Sequence, residues 1–353
     1  MTVLHYVDRW LPLSERFVYD LVRHSRHDSL VVSRARPVNV AAFPVPRVRS
    51  LHRWTWLPSR GVERVLGRVA RRAGAGVLHA HFGYRAGEAA GAAYGVPAAL
   101  VVSLWGHDVT EYPRSRPDVY TGVFERAAAV VVPSRYLADR VIELGGDPDR
   151  VRVIPTGIDV AAFPATPLPA GPPTLLFVGR LVAKKGLDVL AEAWPAVTAA
   201  VPEARLRIVG FGPLESEVRS WLPTAQLDPP DPVDPAGQVR AAMAAATAVV
   251  TPSRTARDGD AESLLYVNLE AQASGRPVVT TRHGGIPEFV EDGRSALVVP
   301  EADAEALAAA LVAVLGDREL AARLGSAGPA VAGRFDAASC AAQVDALYDE
   351  VLG

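Results

Sequence analysis

The stretch Thr174–Leu190, TLLFVGRLVAKKGLDVL, decides the fold. Its first five residues are a β-rich apolar run that stops at Gly179. The turn after it reads into helical spacing at Leu187, Leu190, Ala191 and Trp194. A strand–turn–helix junction of this kind is the repeating unit of a parallel α/β sheet. It leaves backbone N–H groups unpaired at the positive end of a helix, so it suits an anion. Arg180 adds a planar fork and Lys185 a compact, mobile charge, a pair fitted to a diphosphate. Lys184 and Lys185 are also the only lysines among 37 Lys and Arg residues. Lysine kept against so strong an arginine bias marks a place where arginine does not serve. The plain alternative is two solvated lysines on a surface turn.

Outward from this junction the same pattern recurs. Strand-like runs stand at Val3–Val7, Leu30–Ser33, Val77–Ala80, Ala98–Ser103, Ala129–Val132 and Val151–Ile154, with helical stretches at 15–26, 61–73, 86–94 and 134–145. A proline-rich break, FPATPLPAGPP at 163–173, precedes a second series at Leu175–Val178, Leu206–Val209, Ala248–Thr251, Pro277–Thr281 and Ala296–Val299. The economical reading is α/β: two Rossmann-like, doubly wound domains facing a cleft. The first spans 1–162 and the second 173–335. A C-terminal helix, 336–353, is free to pack back across the linker onto the first domain. A chain of 353 residues suits two such cores. The stretch 223–237, PTAQLDPPDPVDPAG, cannot be a central strand and reads as a loop near the ligand.

Composition narrows the function. Hydrophobic content of 49% with 22% charged residues is globular. No apolar run is long enough for a spanning helix, and no secretory leader is read at MTVLHYVDRW. One cysteine, Cys340, excludes an internal disulfide and fits a reducing cytoplasm. Charge is split: residues 1–165 carry 22 Arg against 15 acids, and 166–353 carry 15 Lys and Arg against 24 acids. Arg34 to Arg72 holds ten arginines and one acid, Glu63, interleaved with Phe43, Trp54 and Trp56. On 61–73, Val62, Val65, Leu66, Val69 and Ala73 form one stripe, and Arg64, Arg68, Arg71 and Arg72 lie off it. That face is either solvated or a dock for an anionic membrane or a phosphate-bearing acceptor. Nucleic acid is disfavoured by the slightly acidic whole.

A second constellation is AESLLYVNLEAQASGRPVVTT, from Ala261. Glu262 is expected at a helix start, where the dipole favours an anionic ligand, and Glu270 about two turns on from a similar face. The two acids would then grip two hydroxyl-bearing parts of one ligand. A helix-start acid and an unrelated surface acid are the plain alternative.

With VGRLVAKKG, VGFGPLE, PSR…DGDAESLLYVNLEAQASGRPVV and HGGIPEFVEDGRSALVVP in that order, the second half closely resembles family 4 retaining glycosyltransferases. In the first half, LPLSERFV, LHAHFG, SLWGHDV and PSRYLADRVIELGGDPDRVRVIPTGIDVAAF resemble an exopolysaccharide (colanic-acid-type) branch of that family. The resemblance covers essentially the whole chain. It implies the GT-B fold and transfer of a sugar, read as UDP-linked, from a nucleotide-sugar donor to a glycan or lipid-linked acceptor. It implies that Arg180 and Lys185, with Gly179 and Gly212, hold the donor diphosphate. Glu270 would bind the ribose, and Glu262 with the backbone of Ser263, Leu264 and Leu265 would orient the sugar. Ser14, Glu15, His81, Trp105 and Asp108 would line the acceptor side. No cofactor and no metal are expected, and the location is the cytoplasm or the inner membrane surface.

Two departures stand out. Trp105-Gly106-His107-Asp108 replaces the usual His-Gly-x-Asp, so Trp105 takes the histidine's place. His107, two residues on in an extended segment, is expected to share its face and substitute in part. Ser263 and Leu265 replace the usual Gly and Pro. Rival readings are a soluble natural-product acceptor, a nucleotide-sugar epimerase and a non-catalytic sugar-nucleotide binder. A dinucleotide oxidoreductase is disfavoured, since no glycine precedes Gly61. Asp258-Gly259-Asp260 spells an Asp-x-Asp metal signature but reads better as a turn, and His79 and His81 read as strand-end lining rather than metal ligands. Lys184 reads as the exposed neighbour of Lys185.

Overall fold

The computed structural model describes all residues but Thr55 and Pro232, and the side chain of Leu13. Two compact units emerge: Met1–Gly157 with Ala337–Gly353, and Ile158–Asp336.

The first unit runs β1 (Thr2–Val7), α1 (Arg16–His24), β2 (Asp28–Ser33), β3 (Val48–Ser50), α2 (Ser59–Ala73), β4 (Ala75–His81) and α3 (Gly83–Ala93). It continues through β5 (Ala99–Ser103), α4 (His107–Thr110), α5 (Thr121–Arg126), β6 (Ala129–Val132), α6 (Arg135–Glu143) and β7 (Val151–Val153). The strands form one sheet in the order β3-β2-β1-β4-β5-β6-β7. Every pairing is parallel. Parallel sheets are covered on both faces, which is why β5 (ALVVS) and β6 (AVVV) are apolar without alternation. Val3 and Val77 pair across β1 and β4 and join Val101 and Val131 in a core on one face.

The second unit runs β8 (Thr174–Val178), α7 (Leu187–Ala200), β9 (Arg205–Val209), α8 (Glu215–Trp221), β10 (Gln226–Asp228), α9 (Pro235–Ala245), β11 (Ala248–Thr251) and α10 (Tyr266–Ala273). Then follow β12 (Val278–Thr281), β13 (Ala296–Val299), α11 (Ala304–Gly316) and α12 (Arg318–Ala332). Its sheet, β10-β9-β8-β11-β12-β13, is again all parallel. The last helix, α13 (Ala337–Glu350), belongs to the first unit.

Three boundaries differ from the sequence reading. Residues 158–162 belong to the second unit, because Ile158 bridges to Asp336 and buries with Phe163 against Leu264, Leu269 and Phe289. α13 is no separate segment but a layer of the first core. The proline-rich stretch 223–237 contains β10 at the sheet edge, where prolines beside a strand are tolerated. Asp234 caps α9 by accepting from the Gly237 N–H, with Pro235 at the first helical position; Pro232 lies outside the described residues.

Candidate functional site

In the second sheet β8 lies between β9 and β11, so successive crossovers leave it in opposite directions. A crevice at the carboxyl ends of the strands forms at such a switch point. The segments after β8 and β11 meet there. After β8, Gly179 and the exposed Arg180 lead into a single turn, Ala183–Lys185, which Gly186 ends at φ 67°. A Cβ on Gly186 would stand 1.8 Å from the carbonyl oxygen of Pro252, so only glycine lets the lysine turn approach the chain leaving β11. Gly212 serves likewise: a Cβ there would meet the backbone of Leu181 at 2.5 Å.

This approach gathers four charges. Lys185 Nζ lies 2.9 Å from Glu262 Oε1, and Lys184 Nζ lies 3.0 Å from Asp260 Oδ2 and 3.7 Å from Glu262 Oε1. Burial alone would raise the Glu262 carboxyl, but Lys185 and Lys184 together hold it below its ordinary value. Glu262 therefore stands ionised inside the protein, facing the lysine that the sequence assigns to the donor diphosphate.

Lys184 is not an exposed neighbour. It is buried, and its partner Asp260 is thereby engaged. Asp258 accepts the Asp260 N–H at 3.0 Å, so Asp258-Gly259-Asp260 forms a turn tied to a lysine, a donor set poorly arranged for a cation.

Glu262 does not start a helix. α10 begins at Tyr266, with Leu265 as the residue before its first turn. Ser263 to Leu265 precede it as irregular backbone, with Leu264 buried against Leu269 and Phe289. Only Glu270, half-buried, projects from the helix. α10 itself is anchored by Asn268, whose side-chain oxygen accepts from the Thr251 hydroxyl at 2.9 Å.

The first unit corrects the acceptor-side reading more strongly. Asp108 is buried and accepts N–H groups of Gly83 (3.0 Å), Trp105 (2.9 Å) and Gly106 (2.8 Å). It ties the turns after β4 and β5 together rather than lining an open surface. Its carboxyl is raised by burial against the opposing pull of those bonds. His107 opens α4, points to solvent and pairs with Glu111 at 3.0 Å. Trp105 is half-buried, its ring tilted by 57° against Phe17 with centroids 4.6 Å apart and parallel to the His81 ring at 6.2 Å. The helical turn thus carries His107 off the face Trp105 occupies. Ser14 is exposed and Glu15 half-buried in the turn before α1.

His81 is fully buried, so it does not line an open cleft. Sequence reasoning missed what the two strand-end histidines meet: His5 on β1 is the partner of His81, and Tyr348 on α13 is a partner of His79. His5 Nδ1 meets His81 Nε2 at 3.1 Å with the rings within 20° of coplanar. Both nitrogens of His79 are engaged, by the Tyr348 hydroxyl at 2.5 Å and the Ser103 hydroxyl at 2.7 Å. One ring nitrogen from each of His5, His79 and His81 lies within 4.8 Å of the others. However, the His5 and His81 nitrogens face each other head-on, the geometry of a shared proton rather than convergence on an ion. Burial holds all three far below the usual histidine range, His5 at about 3, so the cluster is a neutral hydrogen-bonded core. A register match was available: His5 pairs with His79 across β1 and β4, but pairing order is not visible in a single sequence.

A switch-point crevice with an adjacent lysine pair and a buried, ionised glutamate defines a protein of the nucleotide-binding α/β class. Comparison with known proteins makes this specific. Residues 14–162 match the model described as Glycosyltransferase Family 4, and residues 172–317 match that described as Glycosyl transferases group 1. The chain belongs to this glycosyltransferase family. It is 37% identical over 199 residues to WcaL of Salmonella typhimurium, a glycosyltransferase named for colanic acid biosynthesis. That match covers 54% of this chain and 48% of the relative, so the chain spans about half the relative's length. It is 32% identical over 289 residues to a GDP-mannose-dependent alpha-(1-6)-phosphatidylinositol monomannoside mannosyltransferase of Mycolicibacterium smegmatis, covering 77% of this chain and 70% of the relative. Anabaena HepE, solved with UDP and glucose, superposes with a TM-score of 0.81 at 19% identity, covering 99% of both chains. The fold is GT-B.

Proposed function

We propose that this protein transfers a sugar, with retention of configuration, from a nucleoside diphosphate sugar to a glycan or lipid-linked glycan acceptor in polysaccharide biosynthesis. The observation that carries the reading is the convergence of Lys185 and Glu262, 2.9 Å apart, at the switch point of the second sheet. Lys185 and Arg180 would hold the diphosphate and stabilise the charge it gains on leaving. Glu270 would take the ribose hydroxyls, and Glu262 a hydroxyl of the sugar. Glu262 is ill suited to be a nucleophile, since two lysines engage its carboxylate. Retention then follows if the acceptor hydroxyl attacks from the face the diphosphate leaves, the diphosphate taking its proton. The protein's contribution is positioning and electrostatics. No metal is needed where lysine and arginine supply the positive charge. The acceptor is proposed to reach the first unit at a membrane surface, because its arginines and exposed Trp54 and Trp56 complement an anionic one. No described helix is long and apolar enough to cross a membrane.

Calorimetry with UDP and GDP tests the donor site. UDP is the base read from the sequence, and GDP is named for the mannosyltransferase relative. One of them should bind, undiminished in EDTA. Lys185→Ala should weaken it by about ten- to a hundredfold, the loss of one charge-assisted contact of about 1.5–3 kcal/mol. Unchanged affinity in the variant, or binding that EDTA abolishes and Mn²⁺ restores, would overturn the site or its metal independence respectively.

A further inference from the structure

Glu262 is held by its backbone as well as by its side chain. Its N–H donates to His283 Nε2 at 3.0 Å, and its carbonyl accepts the Gly285 N–H at 3.2 Å. Both partners lie in the turn after β12, so the glutamate is gripped above and below by one short segment. His283 is almost wholly buried, at 2% side-chain exposure. Since its Nε2 accepts, its proton must sit on Nδ1, and Nδ1 faces Glu301 Oε2 at 2.7 Å. Glu301 stands beyond the end of β13 and also accepts the Thr255 N–H at 2.8 Å. Thr255 lies in the chain that runs from β11 to Glu262. The chain Glu301–His283–Glu262 therefore ties the ends of β12 and β13 to both sides of the loop that presents the glutamate.

We infer that His283 is a positioning residue of the transfer reaction. Through the tautomer fixed by Glu301, it sets the backbone of Glu262 so that the carboxylate meets the donor sugar. The inference rests on the donor-site reading above and extends it to a residue that never touches the ligand. The chemistry favours this over mere packing. A buried backbone N–H must be satisfied, and irregular backbone before α10 offers it no helix partner. A loop built on ladder or helix bonds would not need an imidazole. One held by a single imidazole acceptor has its geometry set by that ring's tautomer and orientation, as outer hydrogen bonds set a ligand's orientation elsewhere. The lysines cannot do this alone, because an ion pair fixes a charge far less tightly in direction than a backbone clamp does.

Three variants test it. His283→Leu removes the acceptor at similar volume, and His283→Gln restores one where Nε2 stood. His283→Asn, too short to reach, stands in should the leucine variant not fold. Amide exchange in a peptide spanning residues 256–265 should be at least about tenfold faster in His283→Leu than in the wild type and recover in His283→Gln. UDP or GDP affinity, which depends on Lys185 and Glu270, should stay within about twofold. Turnover of UDP-glucose or GDP-mannose should fall about 10- to 100-fold in kcat, the cost of misplacing a positioning group, and recover in the glutamine variant. If the wild type binds neither nucleotide, the donor-site reading falls and takes the positioning role with it. If the wild type binds but His283→Leu exchanges and turns over as wild type does, the inference alone falls. A joint loss of nucleotide affinity and turnover that glutamine does not rescue would make His283 structural and overturn it too.

Discussion

At the scale of single residues, two of the acidic groups singled out in the sequence, Glu262 and Glu15, behave oppositely, and burial enters both. Glu262 loses hydration but gains two lysines, so it stays charged. Glu15 loses hydration and has Asp8 nearby. Burial first and that second negative charge next raise its pKa from 4.5 to about 7, against the pull of Arg9. The sign of its effect on stability follows. Below about pH 4.5 Glu15 is protonated in both folded and unfolded chains and contributes no pH dependence. Between there and about pH 7 the unfolded chain releases a proton that the folded one retains, so stability falls as pH rises. Above about pH 7 the cost is complete. Glu15→Gln should therefore raise the melting temperature by a few degrees at about pH 8 and leave it unchanged near pH 4. Calorimetric melts at the two pH values check this. Equal shifts at both would show that the carboxyl is not held in its raised state. The place of Lys185 in a strand–turn–helix junction was legible in the sequence, because a lone lysine pair after an apolar run is a local signal. The burial of Lys184, its hold on Asp260 and the clamp by His283 were not. Each depends on which turn the other strands bring beside β8.

At the scale of elements, strands of four or more apolar residues were readable from composition alone. β3 and β10, each three residues long at a sheet edge, were not. A single apolar residue in each carries too little pattern to separate from a loop, whereas the equally short edge strand β7 was read because its run, Val151–Ile154, holds three. α2 was readable because its period is strong, and the structure buries Val62, Leu66, Gly67 and Ala70 on one side. Arg60, Arg64, Arg68, Arg71 and Arg72 are exposed. Among these, Arg71 also acts locally, its Nη1 donating to the Gly95 carbonyl at 2.6 Å and fastening α2 beyond the end of α3. The others, with Trp56 at 78% exposure just before the helix, leave a basic face with an aromatic edge. Each arginine near an anionic surface is worth about 1 kcal/mol. Replacing Arg64, Arg68 and Arg72 by serine should lower partitioning onto phosphatidylglycerol vesicles by about a hundredfold at low salt, with little change on neutral ones. Vesicle sedimentation measures this. Equal partitioning of wild type and variant would make the face a solvated one.

At the scale of the whole molecule, the chain builds its first unit, leaves it at Gly157, completes the second, and returns at Ala337. The doubled alternation of strand and helix announced two Rossmann-like units. The sequence allowed the last helix to return to the first domain, as it does, but did not require it, since an apolar stripe says that a helix is buried but not against what. The structure answers with specific contacts. Ala341, Val344, Leu347 and Tyr348 bury against Val3, Leu21, Val77, Val101 and Val131. Asp345 accepts the Ser25 hydroxyl at 2.6 Å and the Arg26 N–H at 2.8 Å, and the Tyr348 hydroxyl satisfies His79. Val344, Leu347 and Tyr348 alone represent about 1.5–3 kcal/mol each of apolar burial. An orphaned His79 nitrogen would cost about 1–3 kcal/mol more. Together these are comparable with the whole stability of a domain, about 5–15 kcal/mol. A chain ending at Asp336 should therefore lose the cooperative melting of the first unit. The second unit contains Lys185, Glu262, His283 and Glu270 and its own core, so it should keep its melting transition and the nucleotide affinity proposed for it. Proteolysis followed by mass spectrometry would show cuts concentrated in residues 1–157, with calorimetry reporting the retained nucleotide site. Cuts spread equally over both units would mean that α13 supports the second core as well, contrary to the contacts it makes.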